Sequence, residues 1–350
     1  MGLRKRFAAL FLIGLSLACG RVLAEARDPV PSYVFALAEG QQVVGQLQRI
    51  RSRHEDTFAD LARLFDLGYD ELVAANPGID PWLPGEGTEI LLPTQFVLPE
   101  APREGLVLNL ASMRLFYFPP PDADGERVVY THPIGIGRVG WSTPVGSTTV
   151  TAKATNPAWY VPQSVLAEHA AEGDPLPPVV PPGPDNPLGK HVLRLGMPAY
   201  LIHGTNKPWG VGMRVSHGCI RLYPEDIAAL YELVPKGTAV HIVDQPYLAG
   251  WNGHRLVFAA RQPLEETGGD WLAALELIDR RLKAAPESAP EIAVDWGRVA
   301  RVTREGLGVP LPVANGSEGP DEWLARAPLV RPLAVAYYQP PAPEEATPEG

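Results

Sequence analysis

Two histidines, a serine, a cysteine and an arginine crowd into one stretch of this 350-residue chain: His203-Gly204-Thr205, then Ser216-His217-Gly218-Cys219-Ile220-Arg221. A cysteine of ordinary pKa, about 8.5, is only a few per cent thiolate at neutral pH, and an imidazole that takes its proton makes it a strong nucleophile. Both histidines qualify as that base. His203 ends the apolar run Ala199 to Ile202, which reads as a strand, and Cys219 follows a second strand, so pairing the two would bring ring and thiol together. His217 is the rival, because residues two apart in an extended segment face the same side. Gly218, lacking a side chain, lets a substrate approach the Gly218 and Cys219 N–H groups, candidate donors to a developing oxyanion. Arg221 can offer a two-pronged contact to a carboxylate. Tyr200, Trp209, Met213, Arg214 and Ser216 lie within or beside the block and are candidates to contact substrate or shape its pocket.

The compartment sharpens the meaning of this thiol. Arg4-Lys5-Arg6 precedes the apolar run Phe7 to Ala18, with small residues at Val22-Leu23-Ala24 and Ala24-Glu25-Ala26, the pattern of a secretory signal peptide over residues 1–24. The run is shorter than the roughly 18 to 20 residues that span a bilayer, which places a retained anchor behind cleavage. Cys19 offers a lipid-modified amino terminus as another alternative. The expected location is the periplasm, with no membrane span after cleavage. Cys219 is then left without an intramolecular partner in an oxidising space, where a retained thiol is either used or buried. The formal charge of −10 includes four basic residues in the leader, so the mature chain is more acidic still and nucleic acid is a disfavoured partner.

The elements that must position the block read as mainly β. Leu106 to Leu110 and Met113 to Phe118 form a hairpin, and further strands are expected at Val128 to Ile134, Ser147 to Lys153, His191 to Leu195, Ala199 to His203, Met213 to Val215 and Ala239 to Val243. One helix interrupts them. It starts at Pro224, carries Glu225 and Asp226 in its first turn and runs to about Val234. This pattern implies an antiparallel sandwich or partly closed barrel. Gly135-Ile136-Gly137-Arg138 reads as strand and turn, since it lacks the context of a phosphate loop. Asp174 to Leu188 holds seven prolines, which forbid a central strand and imply an extended loop, either a wall or lid of the site or an inert surface excursion. Upstream, residues 44–94 read β-α-α-β. Thr57-Phe58-Ala59-Asp60 starts a helix that Gly68 stops in a left-handed turn, Asp70 caps the next helix, Asn76-Pro77 ends it, and Thr88 to Leu92 is a strand. After Pro246 a small accessory region with an amphipathic helix, Trp271 to Ala284, runs through an extended segment, Leu329 to Tyr338. Residues 339–350, rich in Pro and Glu, read as a disordered tail.

The block His203 to Leu222 resembles the active-site signature of the YkuD-like L,D-transpeptidases, and the likeness extends over most of residues 104–245. Some members carry Asn where this chain has Arg221. The resemblance implies His203 as base, Cys219 as nucleophile, the Gly204 carbonyl as the group orienting the imidazole, and His217 as a neighbour of the oxyanion site. It further implies attack after the third residue of a peptidoglycan tetrapeptide stem, usually meso-diaminopimelate, with loss of D-Ala through a thioester. The acyl acceptor is then a diaminopimelate amine for a 3-3 cross-link, an outer-membrane lipoprotein lysine, a free D-amino acid, or water, the last making an L,D-carboxypeptidase. Residues 44–94 resemble a LysM domain, which implies a glycan partner, although His54-Glu55 stand where that family has glycine. No cofactor is expected. The rival readings are a zinc site at His203, His217 and Cys219, a non-catalytic wall-binding scaffold, and a papain-like peptidase, which would place its histidine downstream of the nucleophile.

Overall fold

The computed structural model describes residues 33–331. The leader, Cys19, the tail and most of the segment expected at Leu329 to Tyr338 lie outside the described residues. No helix among the described residues is long and apolar enough to cross a membrane.

The centre is a sheet of nine strands. In spatial order they are Val34–Ala36, Val128–Pro133, Arg114–Phe118, Gly105–Asn109, Ala239–Val243, Gly146–Thr155, His191–Leu195, Leu201–His203 and Ile220–Arg221. Its pairs are antiparallel except at two places, where Ala239–Val243 runs parallel to Gly105–Asn109 and Ile220–Arg221 runs parallel to Leu201–His203. The sheet curls until its ends meet: Gly135, just past the second strand, exchanges both backbone hydrogen bonds with Arg221 on the last, at 2.8 and 2.9 Å. The expected mainly β, partly closed barrel is therefore present. Alternation drives the curl to close over apolar side chains, as in Ala239–Val243, where Val240 and Ile242 are fully buried and their neighbours half-exposed. Ile227 and Leu230 of the helix Pro224–Leu233 fill the interior with Ile202, Ile220, Leu222 and Leu106, each burial contributing about 1.5–3 kcal/mol before entropy is counted. Gly137 and Ile136 form a short strand against Arg214–Ser216.

The β-α-α-β unit is also present, with Gln48–Arg51 antiparallel to Glu89–Leu92 and the helices Phe58–Leu64 and Tyr69–Ala75 between them. Its local signals need correction. Thr57 caps the first helix as expected, its hydroxyl accepting from the Asp60 N–H at 3.2 Å. The left-handed residue that follows is Asp66, at φ +53°, whereas Gly68 has φ −80° and is itself the cap of the second helix, its N–H donating to Glu71 at 3.1 Å. Asp70 lies inside that helix. Gly68 is required for another reason: a β-carbon there would sit 2.9 Å from the Cα of Gly212, so two backbones touch. Asn76 ends the helix and ties it to the strand, donating to the Leu72 and Leu91 carbonyls and accepting from the Leu91 N–H.

The proline-rich stretch Asp174 to Leu188 is extended as expected, its one regular piece being Val179–Val180, which pairs Trp159–Tyr160 outside the main sheet. Just before it in the same excursion stands a helix that was not expected, Gln163–Ala171. The helix gave no signal because Val165 is its one buried residue and Pro162 caps it without a side-chain bond. The region after Pro246 forms a lobe of its own, with the expected amphipathic helix present as Trp271–Lys283. A hairpin of Tyr247–Asn252 and Arg255–Ala260, extended by Leu311–Pro312, packs on the helices Trp271–Lys283 and Trp296–Glu305 around Phe258, Leu277, Ile278 and Val302. Asp270 and Asp295 cap those helices with their carboxylates.

The three lobes share buried charge. Glu71 of the βααβ unit bonds Arg114 of the sheet at 2.5 Å and faces Arg261 of the third lobe at 3.3 Å. His132 Nδ1 lies 3.1 Å from Asp66 of the βααβ unit and 3.4 Å from Asp226 of the long helix.

Candidate active site

The parallel pairing of the last two strands assembles the reactive groups. Register sets Ile202 opposite Ile220 and His203 opposite Arg221. Ile202 and Ile220 enter the apolar core, so His203, Arg221 and, two residues before Arg221, Cys219 occupy the other face. That face opens into a cavity of about 610 Å³ lined by His203, Cys219, Arg221, His217, Tyr200 and Lys207, with Pro162, Val165 and His169 of the proline-rich excursion opposite them. A second space of about 250 Å³, lined by Arg194, Met197 and Leu201, shares Trp159, Tyr200 and Cys219 with the first.

His203 is buried, and its Nδ1–H donates to the Gly204 carbonyl at 2.6 Å. That bond leaves Nε2 as the basic nitrogen of the neutral ring. Burial lowers the imidazole pKa to about 3, with the Arg221 charge acting in the same direction. Burial pushes the Cys219 thiol upward, partly offset by the Leu201 backbone and by Arg221. The resting pair is accordingly neutral thiol and neutral imidazole, and the thiol points at the Ala199 carbonyl at 3.6 Å. Ala199 holds a left-handed φ of +69°, and the strand expected to begin there begins at Leu201.

His217 has other commitments. Its Nε2 lies 2.7 Å from a Glu168 carboxylate oxygen, and the edge-on Trp141 ring is 4.8 Å away, centroid to centroid. Gly218 takes φ +98°, and a β-carbon there would meet the Tyr200 ring at 3.1 Å. Its N–H donates to Ser216 Oγ at 3.2 Å, while that hydroxyl donates to the Cys219 carbonyl at 2.6 Å. Ser216 thus spends its side chain on holding the turn. The Gly218 N–H is engaged there too, which leaves the Cys219 N–H as the donor nearer to service. Thr143 clamps the same turn through the Gly218 carbonyl at 2.8 Å.

Arg221 makes no ion pair among the described residues, and its Nε is buried without a hydrogen-bond partner. Burial lowers its pKa. A partly buried, unpaired guanidinium facing a cavity is a receptor for an anion. Arg214 differs: it bonds Glu266 at 2.5 Å and the Gly137 carbonyl at 3.3 Å, and it does not line the cavity. Trp209 is also outside the cavity, 52% exposed in the turn Pro208–Gly210. Tyr200 is half-buried on the wall, its hydroxyl 3.4 Å from the Ser142 carbonyl.

Glu168, Arg138, Trp141, His169 and Lys207 were not read as site residues. Glu168 and Arg138 lie 49 and 79 positions from His217 in the chain, and no spacing rule joins them. As for metal, the described group whose ligand atoms lie within 4.8 Å of one another is Asp66, His132 and Asp226, which shares no member with the thiol site.

A family model described as YkuD, L,D-transpeptidase catalytic domain, matches residues 103–242. The chain is 46% identical over 212 residues to the probable L,D-transpeptidase YcfS of Escherichia coli (strain K12), covering 59% of this chain and 65% of that relative, just under two thirds of its length. It is 42% identical over 253 residues to the probable L,D-transpeptidase YbiS of the same strain, covering 71% and 78%. With the probable L,D-transpeptidase ErfK/SrfK of Salmonella typhimurium (strain LT2), identity is 36% over 299 residues, covering 80% and 91%.

Proposed function

The chain belongs to the L,D-transpeptidase family with a YkuD catalytic domain, and from that premise we propose that Cys219 cleaves the bond between meso-diaminopimelate and terminal D-Ala in peptidoglycan tetrapeptide stems and passes the acyl group to an amine.

The observation that carries this reading is the shared face of His203 and Cys219, with the His203 Nδ1–H fixed on Gly204. The rival base, His217, is committed to Glu168. As the donor carbonyl approaches, His203 Nε2 takes the thiol proton and the sulfur attacks. The oxyanion is held by the Cys219 N–H. The imidazolium, disfavoured by burial and by Arg221, returns its proton to the departing D-Ala nitrogen, and a thioester remains. An acceptor amine then enters, gives a proton to His203, attacks the thioester and releases the thiol. A neutral resting pair suits this cycle, since no charge is stored on either partner until substrate displaces water. Arg221 is matched to a substrate carboxylate. The two spaces that meet at Cys219 allow donor and acceptor separate approaches.

The βααβ unit is read as a LysM-like module that holds the glycan strand, and the site of action as the periplasm, with a diaminopimelate amine or a lipoprotein lysine as acceptor. The decisive experiment incubates purified protein with tetrapeptide-bearing sacculi, with and without a lysine-bearing acceptor peptide, and follows intact mass and muropeptides. Loss of D-Ala with a new 3-3 or lysine linkage is expected. Tripeptide alone identifies water as acceptor and a carboxypeptidase. Unchanged products from Cys219→Ala would overturn thiol catalysis.

A further inference from the structure

The helix Gln163–Ala171 belongs to an excursion between two central strands of the sheet, and Pro162, Ser164, Val165 and His169 put it on the cavity wall. From it Glu168 reaches the turn that carries the nucleophile. One carboxylate oxygen lies 2.7 Å from His217 Nε2, and the other is bonded by Arg138. The same Arg138 nitrogen lies 3.2 Å from His217 Nε2. Arginine has only donors, and a ring nitrogen bound to a carboxylate must itself donate. Arg138 and His217 Nε2–H are therefore two donors sharing one acceptor, and their contact is not a hydrogen bond while Glu168 is present. Take Glu168 away and the nearest partner for Nε2 is a donor, which a neutral ring can meet only by moving its proton to Nδ1.

We propose that Glu168 is a positioning residue that sets the tautomer and orientation of His217, and through that ring the turn bearing Gly218 and Cys219. The Trp141 ring stands nearly perpendicular to the imidazole with centroids 4.8 Å apart, and the carboxylate decides between the two ring states beside it. The excursion then does more than roof the donor: its placement completes the nucleophile's turn.

This inference rests on the thioester reading for its kinetic arm, while its spectroscopic arm needs no turnover. Long-range proton–nitrogen NMR of the full chain reads each histidine tautomer directly. The wild type should show His217 protonated on Nε2, and Glu168→Ala should show it on Nδ1. Glu168→Gln, which keeps a neutral acceptor, should retain the Nε2–H form. In turnover of tetrapeptide, Glu168→Ala should lower kcat about 10- to 100-fold with KM changed less than about threefold, and Glu168→Gln should recover most of that loss. An imidazolium pattern in the wild type, or the same tautomer in wild type and Glu168→Ala, would overturn the proposal. So would a rise in KM with kcat intact, the signature of a wall that only shapes the donor pocket. If the tautomer switches while wild-type protein makes no thioester, the positioning of His217 stands and the catalytic reading falls.

Discussion

Cys219 and His203 are each held neutral by burial, which the Arg221 charge reinforces at the imidazole and partly offsets at the thiol. The consequence is a thiol that reacts slowly with small reagents until its pH is forced up. Alkylation of Cys219 by iodoacetamide should keep accelerating beyond pH 9, whereas a thiolate–imidazolium pair would give a plateau near neutrality. Substrate turnover should behave differently, since its base is lost only below the His203 value of about 3; kcat/KM should stay level from about pH 5 to 7. Arg221 belongs to the same scale. Removing an unpaired, partly buried guanidinium relieves a desolvation cost but deletes a charge-assisted bond to substrate, worth about 1.5–3 kcal/mol. Arg221→Ala should therefore leave the thermal midpoint unchanged or raised and lower kcat/KM on tetrapeptide by about 10- to 100-fold, and retention within twofold would remove Arg221 from substrate recognition.

Among elements, the contact that governs the site from a distance is the meeting of two glycines. The second helix of the βααβ unit begins at Tyr69, and the Tyr69 and Asp70 N–H groups donate to the Val211 and Gly212 carbonyls at 3.3 and 3.2 Å. Those carbonyls lie on the loop that joins His203 to the turn of Cys219. The loop itself thus satisfies orphan donors at the start of a helix in another lobe. A β-carbon on Gly212 would stand 2.2 Å from the Cα of Gly68, and the residue has φ +78°. Gly78 has a similar φ of +85° with open space around it. Gly78→Ala should cost about 1–2 kcal/mol, the left-handed penalty alone, by urea unfolding. Gly212→Ala should cost clearly more and also lower kcat/KM, because the helix must retreat from the catalytic loop. Equal costs for the two would show that the close approach carries no energy.

At the scale of the whole molecule, the lobes share apolar clusters and, within the same junctions, buried ionic groups. Burial opposes the positive charge of His132, but Asp66 and Asp226 outweigh it and raise its pKa to about 10; burial, with Asp66, raises Asp226 to about 7. Both shifts are upward. Each contribution is therefore complete below the unfolded value, near 6.5 for the histidine and 3.8 for the aspartate, and is lost as pH climbs through the folded one. Stability supplied by this junction should decline in two stages, from about pH 4 to 7 and from about pH 6.5 to 10. His132→Gln removes the buried cation that compensates Asp66 and, above about pH 7, Asp226, and should destabilise the protein by about 3–5 kcal/mol at pH 8. The gap to wild type in urea unfolding should narrow toward pH 10. A gap independent of pH would mean that His132 acts by packing alone.

Much of this was legible in the sequence because it depends on neighbours. Alternation in Ala239–Val243, the proline and acids that open Pro224–Leu233, and the Thr57 cap are local signals, and the elements formed where those signals lie. The block from His203 to Arg221 likewise named the thiol, both histidines and the free guanidinium. Other outcomes required the folded chain. Gly68 took the cap expected at Asp70, and Asp66 the left-handed turn expected at Gly68, because the second helix starts against another lobe. The helix Gln163–Ala171 went unread because it buries a single residue and carries no side-chain cap, and Glu168 was hidden with it. Residue types and spacing left His203 and His217 equal as bases from the chain alone; what separates them is parallel strand register on one side and a carboxylate 49 positions away on the other. Periodicity reports which face a residue shows. Its partner across the sheet, and hence its proton, is decided only when distant segments pack and exclude water.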